Sequence, residues 1–126
     1  MSSEALHHVN SLAELQSLFA STTYVAVDFY ADWCGPCKVI APHYEALANQ
    51  HAAPKVLAFA KVNVDAAQDA ARAFGVTAMP TFMFFKDGRQ VAVNGQPMIR
   101  GANPVVLAAA AEKLGGLAKK RVAESS

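Results

Sequence analysis

The sequence predicts an α/β domain, a mixed central β-sheet flanked by helices on both faces. Three observations carry this expectation. Apolar runs of strand length alternate with stretches of helical period, which implies parallel crossovers. The run Tyr24–Tyr30 (YVAVDFY) is apolar on both faces, as a strand covered by helices on each side would be. An Asp87-Gly88 pair between two apolar runs is a hairpin signal, which adds antiparallel pairing at the end of the chain.

The elements follow in order. A short leading strand fits Leu6 to Val9. Ser11-Leu12-Ala13-Glu14 is a capping box, in which Ser11 accepts the N–H three residues on and Glu14 reaches back. Leu12, Leu15, Leu18 and Phe19 recur at helical spacing, so a helix runs to about Ala20. Ser21-Thr22-Thr23 breaks it. The strand Tyr24–Tyr30 holds one charge, Asp28, among six uncharged residues, which points to a buried carboxyl. A second helix follows Cys34-Gly35-Pro36-Cys37 and reaches about Gln50, with a kink expected at Pro42. Leu57–Asn63 reads as another buried strand, and Ala66–Phe74 as an alanine-rich helix stopped by Gly75. Thr81–Phe85 pairs with Val91–Ile99, the latter interrupted by Asn94-Gly95-Gln96-Pro97. Pro104 opens a last helix through about Leu114, and Gly115-Gly116 is expected to end it. The expected organisation is one domain over residues 1–116 and a basic tail, 117–126, frayed or loosely docked.

Composition bounds the function. The 126 residues suit one domain, and 53% apolar against 17% charged is enough for a core and too apolar for a disordered chain. The longest unbroken apolar run, Val105–Ala111, is seven residues, whereas a membrane-spanning helix needs about 20. A net charge of +1 gives no concentrated basic face for nucleic acid. Met1–Asn10 lacks the positive start and apolar run of a secretory signal, so a cytoplasmic location is expected. Thiols there are kept reduced, and a cysteine pair is expected to be catalytic or metal-binding rather than structural. Zinc normally takes four ligands, and no second cysteine pair exists to complete a site; no metal is expected.

Cys34 and Cys37 therefore carry the functional reading. They lie three apart where a strand ends and a helix begins, so they share a face at a separation that suits a disulfide. Cys34 falls at the helix N-terminus, where unpaired N–H groups and the macrodipole favour an anion and lower its pKa. Cys37 is one turn in and is expected to be less exposed. In this reading Cys34 attacks a substrate disulfide, and Cys37 resolves the mixed disulfide by attacking Cys34. Gly35 lets a partner backbone approach. Pro36 pre-sets a helical φ, and the rigid turn favours the dithiol, making the protein a reductant.

The string VDFYADWCGPCK closely resembles the active site of the thioredoxin family, and the resemblance extends over roughly Leu6 to Leu114. It implies the thioredoxin fold and a protein-disulfide reductase contributing to cell redox homeostasis. Met79-Pro80-Thr81 resembles the family's loop facing the active site, whose proline is cis and whose backbone pairs with an extended substrate. Asp28 resembles the family's buried carboxylate, an acceptor for the Cys37 proton, and Lys61 its buried partner. Gly101, between Arg100 and Ala102, matches the substrate-contact glycine, and Trp33 covers the site's edge. The resemblance also implies that no cofactor is bound and that thioredoxin reductase is the electron donor. Implied substrates are disulfide proteins such as peroxiredoxins, methionine sulfoxide reductase and ribonucleotide reductase, with the protein itself a monomer. The sequence departs from the pattern at Tyr30, where many members carry a second tryptophan. It departs again at Thr77-Ala78, at Arg100, and in a longer Asn94–Ile99 stretch. Two other readings of the fold are a binding scaffold with an incidental dithiol and an isomerase or oxidase domain. Pro36 speaks against the second, since those domains usually carry histidine before the second cysteine.

Overall fold

In the computed structural model, which describes residues 5–125, Ser11 starts the first helix as its position predicts. Its hydroxyl accepts the Glu14 N–H at 3.1 Å. The Glu14 carboxylate meets the same hydroxyl, with Ser11 Oγ donating to Oε2 at 3.4 Å. The chain runs β1 (Leu6–Val9), α1 (Leu12–Ser21), β2 (Tyr24–Tyr30), α2 (Gly35–His51), β3 (Leu57–Asn63) and α3 (Gln68–Ala73). It continues through β4 (Thr81–Lys86), β5 (Arg89–Val91), β6 (Met98–Arg100) and α4 (Pro104–Ser125).

The sheet order is β1-β3-β2-β4-β5, with β6 also on β4. β1, β3 and β2 are parallel, while β4 runs antiparallel to β2 and to both β5 and β6. Strand alternation splits the core in two. Tyr24, Ala26, Phe59, Phe82 and Phe84 pack under α2 and α4. Val25, Val27, Phe29, Val62, Met83 and Phe85 pack on the other side with Leu15 and Phe19 of α1 and Ala70 of α3. Asp69 of α3 ties that second layer together by accepting the Leu12 N–H, which opens α1. Asp87 and Gly88 (φ 51° and 79°), like Asn94 and Gly95 (53° and 79°), place two successive residues at positive φ, as a two-residue hairpin turn requires.

The main differences from expectation are at two boundaries. α3 starts at Gln68 rather than Ala66, because Asn63 Oδ1 takes the N–H groups of Asp65 and Ala66 and holds a turn there. α2 runs on through Pro42, which leaves the Lys38 carbonyl without its helical donor. The larger correction is at the C-terminus. Gly115-Gly116 does not end α4, which continues to Ser125. Gly115 is buried because it lies against the His51 ring, which a Cβ would strike. Ala118 beyond it is part of the core, and exposure is complete only from Lys119 on. Among the described residues no helix is long and apolar enough to cross a membrane.

Candidate active site

The end of β2 and the start of α2 bring the cysteines together. Cys34 is the N-cap of α2, in extended conformation, and Gly35 and Pro36 occupy its first turn. Cys34 and Cys37 form a disulfide with a Cα–Cα distance of 5.3 Å, inside the usual range. The Cys37 N–H points at Cys34 Sγ at 3.2 Å. One of the helix's unpaired donors is therefore spent on sulfur, and that bond strengthens when the sulfur is anionic. The expected contrast in exposure is absent. The S–S bond draws both sulfurs into one cluster with Ala31, leaving Cys34 at 5% and Cys37 at 4% exposure.

Opposite the disulfide lies the loop before β4. The Met79–Pro80 peptide is cis, and the Met79 carbonyl oxygen is 3.6 Å from Cys34 Sγ. Met79 is half-buried against the cysteines. Thr81 departs from its expected place on the substrate surface. It is buried, and its hydroxyl donates to the Ala78 carbonyl at 2.7 Å, bracing the loop from behind. Gly101 N–H donates to the Pro80 carbonyl at 2.9 Å, and Arg100 pairs with Thr81 in the β4–β6 register. These bonds set Gly101 and Ala102, both half-buried, and the exposed Arg100 beside the loop.

Gly35 and Pro36 are exposed, and a Cβ on Gly35 would meet nothing in this chain. The approach to the disulfide from outside is therefore free of side chains at that position. Trp33 is 69% exposed. Its indole N–H donates to Asp65 Oδ2 at 3.0 Å, which ties the ring to the turn after β3. Asn63 Nδ2 donates to Asp32 Oδ2 at 3.2 Å and joins the same two loops.

On β2, the strand that leads into the site, Asp28 is 1% exposed on the α2 face of the sheet. Burial lifts its carboxyl from 3.8 to about 7, with Lys61 opposing the rise. Its Oδ1 has no hydrogen-bond partner. Lys61 lies opposite Asp28 in the β2–β3 register, but it is half-buried rather than buried. Its ammonium sits over the Tyr30 ring, 4.5 Å from the centroid. The stem is covered while the charged head finds a ring face near solvent. Tyr44 of α2 is fully buried, its hydroxyl facing the carbonyls of Ala26 and Ala60 at 3.0 and 2.9 Å. Desolvation and then the Asp28 charge raise its phenol pKa well above the ordinary value. Among the described residues no group of three or more His, Cys, Asp or Glu is placed to hold a metal ion.

The arrangement is a disulfide at a helix N-terminus, faced by a cis-proline loop, with a buried acid on the strand that leads into it. The thioredoxin family model matches residues 7–105, across all of these elements. The chain belongs to the thioredoxin family. It is 70% identical to a thioredoxin-like protein of Fusarium culmorum, over 94% of this chain and 98% of that one. It is 55% identical to a thioredoxin of Neurospora crassa, over 96% and 95%. Among solved structures, Plasmodium falciparum thioredoxin superposes with a TM-score of 0.75 at 38% identity, covering 85% of this chain and 97% of that one. The fold is the thioredoxin fold, and the chain is a thiol–disulfide reductase whose chemistry runs through the Cys34–Cys37 pair.

Two thioredoxin-site features escape the sequence pattern. Asp65 anchors Trp33 from 32 residues away, and only the parallel β2–β3 register, which ends on Tyr30 and Asn63, brings the two loops together. The Tyr44 hydroxyl bridges two strands from a helix position that reads as ordinary core. A polar tip on a fully buried face was the one available signal.

Proposed function

We propose that Cys34 is the nucleophile and Cys37 the resolving thiol in the reduction of disulfides in other proteins. Reduced Cys34 attacks one sulfur of the substrate. A Cys34–substrate bond forms, and the second substrate sulfur leaves as a thiolate and takes a proton. Asp28 takes the Cys37 proton, and the Cys37 thiolate attacks Cys34. The substrate's remaining sulfur leaves with the electron pair, so two electrons reach the substrate and Cys34–Cys37 is oxidised. The observation that carries this reading is the Cys37 N–H on Cys34 Sγ at the start of α2, which favours the anion on Cys34.

The electrons return from a partner, thioredoxin reductase, with no cofactor bound to this chain. Trp33, Gly35, Pro36, Met79, Gly101 and Ala102 form the surface over which an extended substrate segment lies. The cis-proline loop offers it backbone pairing. Arg100 flanks that surface. Peroxiredoxins, methionine sulfoxide reductase and ribonucleotide reductase are substrates of fitting chemistry. A solved neighbour from yeast concerns the resolving of a mitochondrial 1-Cys peroxiredoxin through the glutathione and thioredoxin systems, which supports the first of these. A dithiol spent as reductant must work where reducing equivalents renew it, so the cytoplasm is the proposed location, with the protein acting as a monomer.

Trapping tests the assignment. Reduced Cys37→Ser, incubated with a disulfide-bearing protein such as insulin, is expected to accumulate a covalent mixed disulfide. Cys34→Ser should form none. Equal capture by the two variants would reverse the roles.

A further inference from the structure

Asp28 and Lys61 face each other across the β2–β3 pair, on the same side of the sheet. A lysine so placed beside a buried carboxylate oxygen with no hydrogen-bond partner has an evident electrostatic reason to bond it. The ammonium instead lies 4.5 Å from the centroid of the Tyr30 ring. That is within the range where the negative face of an aromatic ring attracts a cation.

We propose that Tyr30 is a positioning residue for the reduction step: its ring holds the Lys61 ammonium off the Asp28 carboxylate and so keeps that carboxylate a base for the Cys37 proton. The proposal rests on the reading of Asp28 as the acceptor of that proton. A direct ion pair would stabilise ionised Asp28 and weaken it as a base. With the ammonium on the ring, burial outweighs Lys61 and the carboxyl stands at about 7, where it can exchange protons near neutral pH. Cys37 is held in the disulfide in this structure and does not titrate, and the other groups around Asp28 leave this balance to Lys61. Tyr44 on α2 is neutral, its phenol pKa held well above the usual value by burial. Phe82, opposite on β4, carries no charge. On β2 itself Tyr30 is also neutral, its pKa raised by burial first and then by Asp32 and Asp28. Asp32 lies beyond the strand end, held by Asn63.

Carbon-detected NMR titration of the Asp28 carboxyl in the full oxidised chain, where Cys34 and Cys37 are joined and cannot titrate, tests the proposal. Tyr30→Phe keeps the ring face, and Asp28 should titrate as in the wild type. Tyr30→Leu removes it, and the Asp28 midpoint should fall by roughly half a unit or more, the scale of one cation–π contact. Lys61→Met should raise the midpoint, and adding Tyr30→Leu to it should change little. An equal fall with and without Lys61 would mean that water entry, not the ammonium, moves Asp28, and would overturn the proposal. So would no fall at all. A measurement without any variant backs these. The Lys61 ε-methylene protons should be shifted upfield by the Tyr30 ring in the wild type, and an unshifted signal also overturns it. The acid limb of the insulin-reduction pH profile separates the two ideas. If the carboxyl moves in Tyr30→Leu and the limb does not, the positioning of Lys61 stands and the proton-acceptor role of Asp28 fails.

Discussion

The backbone N–H of Cys37 lies 3.2 Å from the sulfur of Cys34 and is aimed at it. The donor belongs to the main chain, so it survives replacement of the Cys37 side chain. In reduced Cys37→Ser, Cys34 should therefore keep its anionic character and react with iodoacetamide at pH 7 about tenfold faster, or more, than a free cysteine. In reduced Cys34→Ser the remaining Cys37, one turn into the helix, should react no faster than free cysteine. Alkylation kinetics followed by mass spectrometry decide it; equal rates would remove the physical basis of the nucleophile assignment.

Trp33 depends on Asp65 for its orientation. The ring is 69% exposed, so packing contributes little to holding it, and the 3.0 Å bond from its indole N–H supplies what packing does not. Asp65→Ala should free the indole to rotate. Its fluorescence anisotropy should drop and KM for a protein disulfide should rise a few-fold, with the urea midpoint unchanged because both residues are exposed. A fall in stability with KM unaltered would show that the pair is structural.

Adjacent glycines in α4 should respond with opposite signs. Nothing lies within 4 Å of a Cβ placed on Gly116, so Gly116→Ala should stabilise by about 0.5–1 kcal/mol through lower backbone entropy in the unfolded chain. A Cβ on Gly115 would run into the His51 ring, so Gly115→Ala should destabilise by roughly 1–3 kcal/mol. Truncating the ring with His51→Ala should turn the Gly115→Ala change favourable. Urea unfolding of the four proteins completes the cycle, and additive effects would mean that the two residues do not compete for space.

The same glycines show why part of the fold was legible in the sequence and part was not. Strands β2, β3 and β4 could be read directly, because a strand buried on both faces needs an apolar run and little else produces one of that length. Gly115-Gly116 read as a stop because glycine commonly ends helices. Here one of the pair serves a close approach that depends on where His51 lies, 64 positions earlier in the chain, and pattern carries no such information. The site divides in the same way. Cys34 and Cys37 follow from a local string, and the cis Met79–Pro80 bond from the resemblance that Met79-Pro80-Thr81 carries. Asp65 at Trp33, Thr81 turned inward, and Lys61 on the Tyr30 ring depend on strand register and on side-chain direction. Strand alternation assigns Lys61 a face of the sheet, and it leaves open which of two neighbours on that face its ammonium will choose.

Asp28 should impress its own pH dependence on stability. Its carboxyl is raised from 3.8 to about 7 in the folded chain, first by burial. Between those values the folded state holds a proton that the unfolded state has released. Stability from this group is thus complete below pH 4, declines as pH rises toward 7, and is flat above. A rise of about three units corresponds to roughly 4 kcal/mol, at 1.36 kcal/mol per unit, as an upper figure. Asp28→Asn cannot ionise and should lose this slope. Its buried amide adds a cost of its own, but that cost does not vary with pH and leaves the comparison of slopes intact. Urea unfolding of the oxidised proteins at pH 5 and pH 8 keeps the cysteines from titrating. The wild type should weaken by a few kcal/mol between the two pH values relative to the variant. Parallel curves would mean that Asp28 is already ionised at pH 5, which would contradict both its burial and its proposed role as a proton acceptor.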